Sequence, residues 1–158
     1  MIKKEIMSKL TATILFFLIF ISCKKEEKYY LENQEGNRIE ILKENNKLSI
    51  FEYDKSKKYL LRSLVKIDDE YFDNFNLNQR LNNKDTFLFL SKNKYIYVLK
   101  DKKSLLNDSM KIGFRNQGMY YTEVKSIEKP VNFKYYYDDN YDIKKIIINI
   151  GGKTKIFE

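Results

Sequence analysis

Short stretches of alternating polar and apolar residues run through the chain beyond residue 37, and this pattern is typical of half-buried β-strands. The stretches RIEI and KLSI, at residues 38–41 and 47–50, flank an Asn-Asn pair. Alternation places the apolar side chains on one face of a strand. Asparagine tolerates the positive φ of a two-residue hairpin turn. We therefore predict a hairpin in which Ile41 faces Ile50 and Glu44 faces Lys47.

Further strands are predicted by the same criterion, with Gly118 and Pro130 as breaks between them. In residues 59–67, Tyr59, Leu61, Val65 and Ile67 are expected to share one face. The other predicted strands are residues 86–90, 95–99, 111–114, 119–127, 131–137, 146–150 and 154–157. The fold class expected is mainly β, an antiparallel meander of eight to ten strands that forms a sandwich or a small barrel.

The segment 86–90 is expected to form the centre of the core. Its residues 87–90 are consecutive and apolar, which favours a strand covered on both faces. We expect it to pair with residues 95–99 across the intervening residues 91–94.

The last hairpin has two possible registers. A two-residue turn at Gly151 and Gly152 would place Ile148 opposite Lys155, whereas a loop that includes Lys153 would place Ile148 opposite Ile156. Because a slip of one residue moves side chains to the wrong face, the three-residue loop is favoured.

At most one or two short helices are expected. Residues 68–84 would form one, with Tyr71, Phe72, Phe75 and Leu81 along one side, although its five asparagines make it a poor helix. Residues 104–110 would form a single helical turn.

The amino terminus has the pattern of an export signal. Lys3, Lys4 and Lys9 stand against a single Glu5, and an apolar run of about 12 residues follows at positions 10–21. A transmembrane helix needs about 20 apolar residues, so this run suits the apolar core of a signal peptide.

The run ends at Ser22 and Cys23, and Cys23 is the only cysteine. This arrangement resembles the signal of bacterial lipoproteins, although Phe20 stands where such signals usually have an aliphatic residue. The resemblance implies cleavage between Ser22 and Cys23, and attachment of the lipid to Cys23. A plain secretory signal and an uncleaved anchor are the alternatives. The expected organisation is a signal peptide at 1–22, a lipidated tether at 23–28 and one β-rich domain at 29–158.

Charged residues follow the cysteine directly and are expected to form a solvated tether. Lys25, Glu26 and Glu27 also resemble the export signal of surface lipoproteins in some Gram-negative lineages. The resemblance implies an outer-membrane lipoprotein of the cell envelope that is surface-exposed, and a periplasm-facing position is the alternative.

Composition limits the partners and the chemistry. Cleavage before Cys23 would leave 136 residues with 27 basic and 21 acidic side chains, a net charge of +6. That length suits one domain. The basic residues are interleaved with acidic ones, a distribution that AT-rich coding also produces, so no nucleic-acid partner is expected. The membrane is reached through the lipid, and the remaining partner is an unknown protein or glycan.

The absence of histidine excludes the usual catalytic triads and histidine-ligated metal sites. No Gly-rich phosphate loop or nucleophile elbow occurs, so we assign no catalytic residue and no cofactor. Carboxylate chemistry remains open, and a small carboxylate-dependent hydrolase of envelope glycans is the alternative function.

Residues 138–142 imitate the start of a calcium-binding loop, with Asp138, Asn140 and Asp142 at alternate positions. Such a loop needs Gly next, where this chain has Ile143, and a bidentate Glu at its twelfth position, where this chain has Asn149. A polar hairpin turn is therefore the better interpretation, and no metal is expected.

Tyrosines cluster in two adjacent predicted strands. Aromatic clusters stack on sugars or form binding hot spots, but every second tyrosine of a strand points inward. The candidate binding residues are Tyr120, Tyr121, Tyr135, Tyr136 and Tyr137. The function expected is a non-enzymatic lipoprotein whose β domain binds another macromolecule, and an immunity-type protein that neutralises a toxin is one form of this expectation. A lysozyme inhibitor is less favoured, because a chain of charge +6 would be repelled by a basic lysozyme.

Overall fold

Two antiparallel six-stranded sheets make up the computed structural model, which describes residues 26–55, 57–73, 88–100, 107–126 and 129–158. Sheet A contains the first six strands, in sequence order from one edge to the other. These strands are β1 (Glu26–Glu32), β2 (Arg38–Glu44), β3 (Lys47–Asp54), β4 (Lys57–Ile67), β5 (Glu70–Asp73) and β6 (Leu88–Leu90).

Sheet B contains the second half of the chain, again with sequence neighbours paired. Its strands are β7 (Tyr95–Lys100), β8 (Asn107–Asn116), β9 (Met119–Ser126), β10 (Val131–Tyr137), β11 (Ile143–Ile150) and β12 (Lys153–Phe157). The mainly β meander is confirmed, with twelve strands in the described residues instead of eight to ten. Because the two sheets are separate, the architecture is a sandwich.

The hairpin of β2 and β3 has the predicted register. Ile41 pairs with Ile50 and Glu44 with Lys47. Asn45 takes a φ of 35°, as the two-residue turn requires. Ile41 and Ile50 are fully buried, so the alternation in the sequence reports the buried face correctly.

Strand β1 begins inside the segment predicted to be a tether. Glu26 pairs with Glu44 and Glu27 with Lys43, so the domain starts three residues earlier than expected. Lys28 also lies in this strand. Only residues 24 and 25 of the predicted tether lie between Cys23 and β1, and they are outside the described residues.

The face predicted for the third strand is wrong. A register shift between β3 and β4 leaves Leu61 as an extra residue on β4. The bulge reverses the alternation, so Tyr59 and Val65 no longer share a face. Leu64 is the fully buried residue of this strand, while Tyr59 and Ile67 are exposed.

Neither predicted helix occurs in the described residues that it covers. Residues 70–73 form β5, with Tyr71 and Phe72 paired to β4, and residues 107–110 begin β8. Phe75, Leu81 and Ser104 lie outside the described residues. The described part of the chain holds no helix of a length and hydropathy that would span a membrane.

The predicted pairing of residues 86–90 with 95–99 is wrong, because these strands lie in different sheets. Strand β6 pairs with β5, and β7 pairs with β8. Residues 91–94 therefore connect sheet A to sheet B. Leu88, Phe89 and Leu90 are all buried, as expected for a strand covered on both faces, although β6 lies at the edge of its sheet. Residues 86 and 87 are outside the described part.

The connection between the sheets packs closely against β8. Gly113 has a φ of 71°, and a Cβ at this position would overlap the carbonyl oxygen of Asn93. The pairing of β8 with β9 shifts register between Lys111 and Phe114, so this glycine lies at a bulge. The bulge thereby makes room for the chain to cross from one sheet to the other.

The final hairpin has the register that the sequence argument rejected. Ile148 pairs with Lys155, and Gly151 and Gly152 both have positive φ, as a two-residue turn requires. Strand β12 is an edge strand with only Phe157 buried. Phe157 pairs with Ile146 and is the one residue of β12 whose burial fixes the register of the β11–β12 hairpin. Ile156 stays exposed.

Hydrogen bonds join the sheets at several places. The backbone groups of Glu32, at the end of β1, exchange two hydrogen bonds with those of Glu158 after β12, at 3.2 and 3.3 Å. In the interior, the hydroxyl of Thr122 in β9 donates to the carbonyl oxygen of Phe89 in β6. The two sheets share one apolar core between them.

Candidate functional site

The outer face of sheet A carries an ordered group of aromatic and basic side chains. Ile39 and Ile41 of β2 point into the core, so Arg38 and Glu40 of the same strand point outward. The strand register places residues of β1, β3 and β4 around them. We call this surface the aromatic–cationic face, and its members are Lys28, Tyr30, Arg38, Tyr53 and Lys58, arranged around Glu40.

Glu40 lies at the centre of the aromatic–cationic face and is almost fully covered, with a side chain only 1% exposed. Its carboxylate accepts hydrogen bonds from the Tyr53 hydroxyl at 2.7 Å and from the Lys58 ammonium at 2.5 Å. The Lys28 ammonium lies 3.1 Å away. A buried carboxylate with three donors is stabilised as an anion.

The pKa values of this cluster follow from these contacts. Burial alone would raise the pKa of Glu40, but the hydrogen bonds from Lys58, Tyr53 and Lys28 outweigh it and lower the pKa to about 2. The contacts of Lys28 with Tyr30 and Glu40 raise the pKa of the ammonium group. The carboxylate and this ammonium group therefore stay charged at neutral pH.

The cations of the aromatic–cationic face are held against aromatic rings. The guanidinium of Arg38 lies 4.4 Å from the ring centroid of Tyr30 and 5.1 Å from that of Tyr53. The Lys58 ammonium lies 3.9 Å from the ring centroid of Phe51. Cation–π contacts at these distances orient both partners, so the surface is ordered before it meets any ligand.

This face is accessible. Tyr30 is 40% exposed, and the neighbouring Leu60 of β4 is 57% exposed. Tyrosine and arginine are among the residue types enriched at binding hot spots, and Leu60 adds apolar surface beside them. The arrangement can therefore contact a macromolecule over a broad surface.

The tyrosines that the sequence analysis selected for binding are mostly structural. Tyr135, Tyr136 and Tyr137 are all buried, and Tyr135 and Tyr137 point into the core. Tyr136 faces outward but is covered, with the ring of Tyr121 5.8 Å away and the Lys134 ammonium 5.6 Å from its centroid. These three rings are not available to a partner.

The other two tyrosines of that cluster are half-buried. Tyr120 stacks on Tyr137 with centroids 5.9 Å apart, and the guanidinium of Arg115 lies 4.5 Å from the Tyr120 ring. Tyr121 packs between Phe114 and Tyr136. Both rings therefore support the sheet and present only part of their surface.

The segment 138–142 is a hairpin turn between β10 and β11, as predicted. The carboxylate of Asp138 accepts hydrogen bonds from the backbone N–H groups of Asn140 at 2.8 Å and Asp142 at 3.0 Å. Burial would raise the pKa of Asp138, but these bonds and the nearby Lys144 lower it. The described residues hold no cluster of three or more potential metal ligands.

A polar groove of about 570 Å³ lies at the end of the sandwich where β1 begins. It is formed by turns and strand ends that the sequence analysis did not connect with one another. The lining residues are Glu27, Lys43, Asn45, Lys66, Asp69, Tyr71, Lys92, Asp139, Asn140, Tyr141 and Asp142. We call it the polar groove.

The sequence-predicted residues at the lipid signal lie outside the structural description. Ser22, Cys23 and Lys25 fall before residue 26, where the described chain begins. Glu26 and Glu27 are in β1, and Glu27 also lines the polar groove.

Comparison with known proteins provides no relative. No family model, curated protein or solved structure matches this chain.

Proposed function

We propose that this protein is a lipid-anchored, non-enzymatic protein of the bacterial cell envelope whose β domain binds another macromolecule through the aromatic–cationic face. The observation that carries the proposal is the position of Arg38, whose guanidinium contacts the rings of both Tyr30 and Tyr53 on the same face as the buried Glu40. These side chains lose little conformational freedom on binding because they are already ordered.

Charge indicates the kind of partner. Arg38, Lys28 and Lys58 present their positive groups at the surface, whereas the compensating Glu40 is covered. An acidic protein surface would complement this arrangement and would be attracted over a distance. A secreted toxin with an acidic patch fits these requirements, which makes an immunity-type role the form of the proposal that we favour.

The test is affinity capture with the tagged full-length protein, solubilised from membranes, with partners identified by mass spectrometry. Arg38→Ala should reduce recovery of the partner about tenfold or more, because truncation of a hot-spot arginine costs about 2 kcal/mol or more. Arg115→Ala is the matched control, since Arg115 lies 4.5 Å from the Tyr120 ring on the other sheet. Equal recovery with both variants would show that the aromatic–cationic face does not bind the partner.

The proposed surface display has its own test. Changing Lys25, Glu26 and Glu27 to alanine should reduce access of added protease to the domain on whole cells. Glu26 and Glu27 lie in β1, so their replacement could also change the stability of the domain. The single variant Lys25→Ala should therefore be compared with the triple variant, and the thermal stability of each variant should be measured. Unchanged protease access in the triple variant would exclude this export signal.

Glycan hydrolysis is the alternative function and is less well supported. Asp69, Asp139 and Asp142 line the polar groove, but glycoside hydrolysis requires one carboxyl group with a raised pKa as the general acid. Asp142 is instead engaged in an ion pair with the Lys43 ammonium at 2.6 Å. The purified protein can be assayed for glycan cleavage. Cleavage that is lost in Asp69→Asn or Asp142→Asn would favour the hydrolase over the binding function.

A further inference from the structure

Two lysines in the polar groove share one exposed carboxylate. The Lys66 ammonium lies 3.4 Å from Oδ1 of Asp69, and the Lys92 ammonium lies 3.7 Å from Oδ2. Both distances exceed the usual range for an N–H···O hydrogen bond. The Asp69 side chain is 71% exposed. Two positive charges therefore face a single loosely held negative charge, and both ammonium groups have donors left for a ligand.

The third lysine of the groove is different. The Lys43 ammonium donates to Asp142 at 2.6 Å and to the carbonyl oxygen of Asn140 at 2.9 Å. Its side chain is only 19% exposed. Lys43 is therefore fixed in a structural ion pair, and the open positive site is the pair Lys66 and Lys92.

The backbone around this pair is held in place. The hydroxyl of Tyr141 donates to the carbonyl oxygen of Asp69 at 2.5 Å, and the Lys92 ammonium lies 5.2 Å from the Tyr141 ring centroid. Tyr71 packs edge-on against Tyr141, with centroids 5.4 Å apart. The Asp69 side chain can therefore turn outward without disturbing the wall of the groove.

We propose that Lys66 and Lys92 bind the phosphate group of a phospholipid headgroup. Phosphate oxygens accept charge-assisted hydrogen bonds from ammonium groups, and the bound phosphate would take the place of the Asp69 carboxylate. Three lysines and four carboxylates line the groove, so it does not attract anions in general. A phosphate that carries its own ammonium group, as in a phosphoethanolamine headgroup, matches this balance. The exposed Asp139, whose contact with Arg115 is a long one of 3.8 Å, can face the amine.

The location of the groove supplies the reason for a lipid ligand, and this step rests on the proposed lipid anchor. Glu27 lines the groove and follows Cys23 by four residues. Four extended residues span at most about 14 Å. If the lipid on Cys23 is inserted in the membrane, the groove is held next to the headgroup layer.

The phosphate site is tested first without a membrane. The full-length protein in dodecyl maltoside is titrated with glycerophosphoethanolamine by isothermal calorimetry, with glycerol as the uncharged comparison. The double variant Lys66→Gln, Lys92→Gln should weaken binding at least about tenfold. The control Lys153→Gln, Lys155→Gln removes the same charge from the exposed strand β12 and should bind as wild type. Absence of binding to wild type, or an equal loss in both double variants, would overturn the site.

The membrane source is tested second. The lipidated protein is reconstituted in phosphatidylethanolamine–phosphatidylcholine vesicles and in vesicles of digalactosyl diacylglycerol, which has no phosphate. Amine labelling of Lys66 and Lys92, read by mass spectrometry, should fall several-fold only in the phospholipid vesicles, with Lys153 unchanged. Equal labelling in both would overturn the lipid as ligand and, with a positive titration, would assign the site to a soluble phosphate ester. Failure to attach to either vesicle would instead refute the lipid anchor, and the titration would still decide the phosphate site.

Discussion

The hydroxyl of Tyr137 joins the two sheets at the point where the chain crosses between them. It donates a hydrogen bond to the carbonyl oxygen of Ser91 at 2.8 Å and accepts one from the Ser91 backbone N–H at 3.2 Å. Both residues are fully buried. Burial raises the pKa of the Tyr137 hydroxyl, so the group keeps its proton and can donate at neutral pH.

Tyr137→Phe is therefore expected to destabilise the domain without opening a cavity, because the ring remains. The change removes a donor and an acceptor from two buried backbone groups of Ser91. Leaving buried polar groups without partners costs about 1–3 kcal/mol. A domain of this size is typically stable by about 5–15 kcal/mol, so the loss would be easily measured.

The measurement is urea unfolding followed by circular dichroism, in which the transition midpoint should fall while its slope stays unchanged. Tyr136→Phe is the matched control. Tyr136 is also buried in β10, but its hydroxyl takes no part in the bridge to Ser91. A Tyr137→Phe variant within about 0.5 kcal/mol of wild type, or equal losses in both variants, would refute the role assigned to this hydroxyl.

Three further predictions concern the core, the aromatic–cationic face and the anchor. Phe89→Ala should cost about 3–5 kcal/mol and Leu88→Ala about 2–5, through lost burial and the cavity left behind, while Lys92→Ala should stay within about 0.5 in the same unfolding assay. A nearly neutral Leu88→Ala would show that one face of β6 is uncovered. Glu40 has a pKa lowered from 4.5 to about 2, so the stability it contributes is present above about pH 4.5 and lost as pH falls toward 2. Glu40→Gln should flatten this part of the pH profile of stability, and an unchanged profile would contradict the assignment. Cys23→Ala should move the protein out of the membrane fraction, and an intact mass of wild type without acyl groups would refute the lipoprotein interpretation.

The alternation of polar and apolar residues, together with the turn residues, predicted those parts of the fold that are formed by neighbours in sequence. In the β2–β3 hairpin, two adjacent residues make the turn, and alternation on both sides selects the pairing of Ile41 with Ile50. Both kinds of information are contained within a short segment. The positions of most other strands followed in the same way, because each has one buried face.

Pairing between distant segments was not predictable in this way. Residues 91–94 have the length and polarity of a hairpin loop, yet they connect two sheets. What decides this is the packing of the connection against Gly113 and the bond from Tyr137 to Ser91, both formed with residues far along the chain. The bulge at Leu61 likewise depends on its partner strand.

Burial was a misleading guide at the edge of a sheet. The argument for the last hairpin assumed that Ile156 must be covered, but β12 is an edge strand and most of its side chains are exposed. The Gly-Gly turn was the stronger signal, since both glycines take the positive φ of a two-residue turn.

The aromatic–cationic face was missed for a different reason. Its members come from four strands and carry no motif, and the sequence analysis placed Lys28 in a tether. Recognising Lys28 and Tyr30 as alternate residues of one strand would have required knowing that β1 begins at Glu26. The tyrosine cluster was selected because its residues are adjacent in sequence, whereas in the fold Tyr135 and Tyr137 point into the core and Tyr136 is covered by its neighbours.

The order of the strands has a consequence for how the chain folds. Every strand pairing in the two sheets joins strands that are consecutive in sequence. Closing short loops costs little entropy, so each sheet is able to form early and independently of the other.

Sheet A is complete in sequence at Leu90, before any residue of sheet B is required. A chain that crosses a membrane from its amino terminus would therefore deliver sheet A first, with Ile39, Ile41, Leu48, Ile50 and Leu64 uncovered on one face. Until sheet B docks on that face, the half-domain exposes the apolar surface on which aggregation begins. From this order we expect the contacts that join the sheets, such as those of Tyr137 and Glu158, to form after the pairing within sheet A.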